Sequence, residues 1–284
     1  MQLVRYLCKP ILKVNTVFVR SYPGIREGAP RPAQVFHKMA QQDIPEVTEA
    51  PLMCYNWMCP YVHRVTLALA HKQATINMVD IDLANKPAWL PKFSPHGKVP
   101  AVTYNENGQQ QVLYESLVLL QWVEDYFSKG PELLPGTPAQ KAKGRIIISR
   151  FDGAAVSKFY QMVRCSDESS FAELLHGLKS EFAWLEESMD PTGPFMMGPT
   201  PTMVDAACAP WLLRLCVLQK LRNVDVLAGF PKLQKWLAAY KSHPDVVKTI
   251  KPPPNVDWEQ GMIDIYGDKY AGGFKDMSKA AAQA

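Results

Sequence analysis

Cys59 stands directly before Pro60, and Pro60 opens a run to His71 in which Val62, Val65, Leu67, Leu69 and Ala70 supply the apolar positions of a helix. A cysteine so placed sits at a helix N-terminus. The unpaired backbone N–H groups and the helix dipole there favour a thiolate, and a thiolate is the nucleophile of disulfide exchange. Val62 occupies the position of a second redox cysteine. A mixed disulfide formed on Cys59 would therefore need an outside thiol for its release. The competing reading is a core cysteine near a strand end, and Cys54, inside the apolar run Pro51 to Tyr55, fits that description. His63 follows Cys59 by four residues. It is expected to face solvent, because no third ligand or orienting carboxylate stands at the spacing that a metal site or catalytic base requires.

Two further places could meet a ligand. Val99-Pro100 follows a Gly97-Lys98 turn and precedes an apolar strand. A proline there removes a ladder donor. It suits a cis peptide that would leave the Val99 backbone to pair with a peptide-like ligand. Glu115-Ser116 opens another helix. Its serine either caps that helix or offers its hydroxyl and N–H to a ligand carboxylate.

These residues need elements to hold them. Pro51 to Tyr55 and Thr75 to Asp82 read as strands, with the Pro60 to His71 helix between them. Lys86 to Phe93 reads as a short helix. Val99 to Tyr104 and Gln110 to Tyr114 form a hairpin around Asn105-Glu106-Asn107-Gly108, and Ser116 to Phe127 is an apolar helix. The order is βαβ, a connecting helix, then ββα, which is the thioredoxin arrangement. Gly130 to Pro138, with three prolines and two glycines, is a boundary. Beyond it Ala139 to Met162, Phe171 to Met189, Met203 to Leu221 and Lys232 to Ser242 read as helices, the third opened by the capping box Thr202-Met203-Val204-Asp205. The fold class is thus α+β followed by all-α. The thioredoxin-like domain is expected over residues 50–129, a linker over 130–138, and the helical domain over 139–250. Residues 251–284 form a C-terminal extension with a possible helix from Trp258 to Tyr266 and a small-residue end expected to fray.

The 284 residues carry a formal net charge of +4. Arg5, Lys9, Lys13 and Arg20 lie before residue 26 with no acid among them, so the rest of the chain is balanced. A neutral body argues against nucleic acid as a partner, and no window is long and apolar enough to span a membrane. Arg5, Lys9 and Lys13 share one helical face, and Leu3, Leu7, Ile11 and Val14 another. Residues 1–25 therefore have the composition of a mitochondrial presequence, with a cytoplasmic protein carrying a basic tail as the alternative. Residues 26–49 are a linker. The cysteines Cys8, Cys54, Cys59, Cys165, Cys208 and Cys216 form no C-x-x-C pair and no structural zinc spacing. No metal or organic cofactor is expected.

Cys59-Pro60-Tyr61 with Arg64, Asn85-Lys86-Pro87-Ala88-Trp89, Gly97-Lys98-Val99-Pro100 and Tyr114-Glu115-Ser116 occur in that order. Together they resemble an omega-class, cysteine-type glutathione transferase over about Ala50 to Ser242. The resemblance implies a monothiol Cys59 that forms a mixed disulfide with glutathione or a related low-mass thiol. It implies that Tyr61, Lys86, Val99, Pro100, Glu115 and Ser116 hold that thiol. It also implies thioltransferase and dehydroascorbate reductase activity toward a small-molecule or protein disulfide acceptor, an acceptor site lined by the second domain, and a homodimer. The extra ends raise a different expectation: a catalytically idle accessory subunit of a larger mitochondrial assembly.

Overall fold

Leu52–Tyr55 (β1) is buried along most of its length because it lies between two other strands, which is why its sequence is uninterruptedly apolar. The computed structural model describes residues 44–270 and 276–282. The basic leader, residues 1–25, and most of the linker after it lie outside the described residues. From β1 the chain runs through Pro60–Lys72 (α1), Asn77–Asp80 (β2), Leu90–Phe93 (α2), Ala101–Glu106 (β3), Gln109–Tyr114 (β4) and Ser116–Tyr126 (α3). The sheet order is β2-β1-β3-β4. β1 pairs parallel with β2, Leu52 opposite Asn77, and antiparallel with β3, Cys54 opposite Ala101. β3 and β4 are antiparallel with Glu106 opposite Gln109. The turn is therefore two residues, Asn107 and Gly108, both at positive φ, as this kind of tight hairpin demands. Mixed sheet and order together are the thioredoxin-like arrangement read from the sequence.

The second domain is joined to the first by close backbone contact. Gly130 has φ +93, and a Cβ there would lie 2.0 Å from the Lys72 carbonyl oxygen, so only glycine fits. The Lys72 ammonium, buried at the end of α1, meets Glu124 of α3 at 2.6 Å. Glu124 also accepts the Leu133 N–H at 3.1 Å.

Eight further helices and a π-turn complete the described residues before α12. They are Pro138–Arg150 (α4), the π-turn Phe151–Val156, Ser157–Arg164 (α5), Glu168–Ser188 (α6), Met203–Leu212 (α7), Leu215–Arg222 (α8), Pro231–Ser242 (α9), Pro244–Thr249 (α10) and Trp258–Tyr270 (α11). Ser278–Ala281 (α12) follows. Two helices expected to be continuous are not. Ala139 to Met162 contains the π-turn, whose wider winding redirects Asp152. Met203 to Leu221 breaks after Leu212, where Pro210 has removed a helix donor from the preceding turn. The helix expected from Trp258 to Tyr266 is present within α11, and the described part of the small-residue end, expected to fray, is packed instead. Trp258, Met262 and Tyr266 recur at helical spacing and are buried. Met277 and Ala280 are buried as well, and the Met277 N–H reaches the Arg222 carbonyl at 2.9 Å. No described helix is long and apolar enough to cross a membrane.

Candidate active site

Cys59 is the N-cap residue of α1, in extended conformation, with Pro60 in the first helical turn. Its Sγ donates to the Val99 carbonyl at 3.6 Å. Val99-Pro100 is a cis peptide. The electrostatics are more divided than the helix position suggests. Burial pushes the Cys59 thiol up, while the N–H groups of Val62 and Tyr61 and the Arg214 charge favour the thiolate without reversing that direction. Cys54, buried in β1, is pushed up to about 12 by burial alone and is inert.

Beside the cysteine lies a cleft of about 430 Å³. Its lining combines Tyr61, Val99 and Pro100 with Ser116, the carboxylates of Glu115 and Asp152, His96 and the cation of Lys98. Carboxylates and a cation lining one cleft suit a zwitterionic, peptide-like ligand. Glu115 adopts φ +71, an unfavourable conformation for a residue with a Cβ, and makes no side-chain cap to α3. Ser116 does not cap either. Its hydroxyl accepts from Arg64 Nη1 at 3.2 Å. Arg64, almost wholly buried, also donates from Nε to the Ala207 carbonyl at 2.9 Å and pairs through Nη2 with Asp152 at 2.8 Å. Its guanidinium lies over the Trp211 ring, 4.3 Å from the centroid. One side chain of α1 thus ties the start of α3 to the π-turn and to α7.

A smaller, mostly apolar cavity of about 160 Å³ includes Cys59, Tyr61, Leu83, Tyr160, Ile265 and Tyr266. Tyr61 borders both cavities. Behind Cys59 lies Arg214, fully buried. It donates from Nη2 to the Met58 carbonyl at 3.0 Å and from Nη1 to the Pro210 carbonyl at 2.8 Å.

Tyr61, Val99, Pro100, Glu115 and Ser116 come together in the larger cleft, beside Cys59. Lys86 does not line it. Its ammonium donates to the Gly97 carbonyl at 2.9 Å, and Lys98 faces the cleft in its place. The expectation for His63 fails. The ring is buried, with Nε2 2.9 Å from the Thr249 hydroxyl and Nδ1 3.3 Å from Arg214 Nη1. Burial and the Arg214 charge hold its pKa well below the ordinary value, so it is a neutral packing residue. Sequence reading missed Asp152, Tyr160, Ile265 and Tyr266. Tyr266 closes the helix that the sequence does suggest in its tail. Asp152 carries no local signal, because its direction depends on a π-turn.

Comparison with known proteins agrees with this architecture. The family described as Glutathione S-transferase, N-terminal domain, matches residues 58–126, and its C-terminal domain family matches residues 169–239. Mouse glutathione S-transferase omega-1 is 30% identical over 201 residues, covering 70% of this chain and 80% of its own. The crystal structure of glutathione transferase Omega 3C from Trametes versicolor superposes with a TM-score of 0.65 at 26% identity, over 74% of this chain and 91% of that one. The Chlamydomonas reinhardtii dehydroascorbate reductase shares the fold with a TM-score of 0.61 at 23% identity, over 78% of this chain and 98% of that one. A cysteine at the head of α1, a mixed four-stranded sheet, a helical second domain and these relatives place the chain in the glutathione S-transferase family, on its omega-like, cysteine-type side.

Proposed function

We propose that the protein is a glutathione-dependent thiol transferase and reductase that works through Cys59 alone. The observation that carries the reading is the position of the Cys59 sulfur at the start of α1. It lies beside a cleft suited to a zwitterionic peptide and borders an aromatic-lined cavity suited to an acceptor. In the first step the Cys59 thiolate attacks the glutathionyl sulfur of a mixed disulfide. The new bond is Cys59–S–S–glutathione, the old disulfide breaks, and the released thiolate takes up a proton. In the second step a second glutathione thiolate attacks the bound glutathionyl sulfur. Glutathione disulfide leaves and the Cys59 thiolate returns. With an oxidised small molecule such as dehydroascorbate as acceptor, the two electrons come from two glutathiones.

The chain's own residues supply binding and charge. Among the residues lining the cleft, Glu115 and Asp152 supply carboxylates suited to an α-ammonium group, and Lys98 a cation suited to a carboxylate. The Val62 and Tyr61 N–H groups and Arg214 oppose the burial that raises the thiol pKa, so they stabilise the thiolate as attacking and leaving group. The test is turnover of a glutathionylated peptide by wild-type protein and by Cys59→Ser. The wild type should acquire one glutathione-sized mass increment at Cys59 and turn over. The variant should do neither, and a variant that retains turnover refutes the reading.

A further inference from the structure

His71 lies in the last turn of α1, and His243 and Asp245 flank the start of α10. One nitrogen from each ring and a carboxylate oxygen come within 4.8 Å of one another. We propose that these three residues form a binding site for a divalent metal of the zinc class, clamping α1 of the thioredoxin-like domain to the α9–α10 corner of the helical domain.

The distances carry the proposal. Asp245 Oδ2 is 3.6 Å from His71 Nδ1 and 3.9 Å from His243 Nδ1. Both are longer than good hydrogen bonds. Two donors bonded to one tetrahedral zinc at about 2.0–2.1 Å sit roughly 3.3 Å apart. The carboxylate oxygen is thus spaced from both imidazoles as an ion's ligands are, give or take a few tenths of an ångström. The donor set, two imidazoles and a carboxylate, is a zinc-type set that leaves a fourth position open.

The surroundings orient the donors. His71 Nε2 is 2.8 Å from the buried Tyr240 hydroxyl. When Nε2–H donates to that oxygen, the Nδ1 lone pair faces Asp245, the outer-shell arrangement that fixes a metal-binding tautomer. The two rings meet edge to face at 5.6 Å. Asp245 divides its oxygens: Oδ1 takes the Lys248 ammonium at 2.9 Å, while Oδ2 faces the rings. His243 Nδ1 accepts a weak bond from the Asp245 N–H at 3.3 Å, which metal binding through that atom releases. Lys248 is a cation against the cluster, and its side chain is 64% exposed. The site stands twelve residues along α1 from Cys59, about 18 Å, so its occupant does not touch the thiol chemistry.

The experiment titrates metal-free full-length protein carrying Cys59→Ser with Zn²⁺, and with Co²⁺ as a spectroscopic probe. One equivalent should bind, with cobalt bands lacking thiolate charge transfer, and Zn²⁺ should raise the thermal unfolding midpoint. Asp245→Asn and His243→Gln, both at partly exposed positions, should weaken binding at least tenfold and abolish the thermal shift. Lys248→Ala leaves every ligand in place and should tighten binding severalfold. Absence of one-equivalent binding in the parent, unchanged affinity in both ligand variants, or weaker binding in Lys248→Ala would overturn the proposal.

Discussion

At the scale of single residues the site is a contest between burial and charge. Cys59 occupies the helix position that favours a thiolate, yet burial outweighs the Val62 and Tyr61 N–H groups and Arg214. The expected consequence is a thiol that titrates above the ordinary value of about 8.5. Its alkylation rate should climb about tenfold per pH unit between pH 7 and 8, as the thiolate fraction does below the pKa. Removing the cation in Arg214→Met takes away a group that lowers the pKa, so the midpoint of the alkylation–pH curve should move further up. A curve that moves down, or a wild-type midpoint near 6, would contradict this balance. Arg64 acts on the neighbouring cleft through other residues. Arg64→Met strips the Ser116 hydroxyl, the Asp152 carboxylate and the Ala207 carbonyl of a shared donor. The KM for glutathione should rise about tenfold, equivalent to ~1.4 kcal/mol of lost binding, with a smaller effect on kcat. Arg64→Lys should recover only part, since one ammonium does not replace a planar fork.

At the scale of elements, the helical domain is pinned by a short motif at the head of α7. The Thr202 hydroxyl caps the Val204 N–H at 3.3 Å, and Asp205 returns to the Thr202 N–H at 2.8 Å. Asp205 Oδ1 then accepts from the Met196 N–H at 2.9 Å and from the Trp236 indole N–H at 2.7 Å. All these partners donate, and the carboxylate is fully buried. Asp205→Asn turns one acceptor oxygen into a donor facing donors. The expected cost is on the order of 3 kcal/mol, a Tm drop of roughly 6–12 °C for a domain pair of this size. Thermal melts of the two proteins would decide it. This motif was legible in the sequence because a capping box is local. So were the proline after Cys59 and the hairpin, whose turn, expected over Asn105 to Gly108, is confined to Asn107-Gly108 because Asn105 and Glu106 stay paired. What escaped the sequence was set by distant packing. The burial of His63 depends on Arg214 and Thr249, which follow it by 151 and 186 residues. The direction of Asp152 depends on a π-turn that the helical periodicity of its segment conceals. The packed tail escaped because the small residues around α12 resemble a frayed end, although Met277 is fully buried.

At the scale of the whole molecule, the cleft and a bare surface share a residue. Asp152 borders the cleft beside Cys59 and also a second hollow of about 450 Å³ between α3 and α4, lined by Leu117, Leu120, Arg145 and Ile148 among others. Beside that hollow, Val118 of α3 and Ile146 of α4 are exposed by 54% and 58%. Exposed large apolar side chains on the two helices that line the hollow suit a partner surface, and a two-fold pairing would bury the same face on both copies. We therefore expect a homodimer through the α3–α4 face at micromolar concentration, measured by light scattering after size exclusion. Ile146→Glu places a charge in that interface and should shift the protein to monomers. Because Asp152 is held by Arg64 and lines both the cleft and the hollow at that face, the monomer should also bind glutathione more weakly, with kcat changed less than KM. A wild-type protein that is monomeric, or an Ile146→Glu protein that remains dimeric, would refute the interface. A particle many chains in size, unable to bind glutathione, would turn the interpretation toward the accessory-subunit alternative and away from an enzyme whose two sites are linked through Asp152.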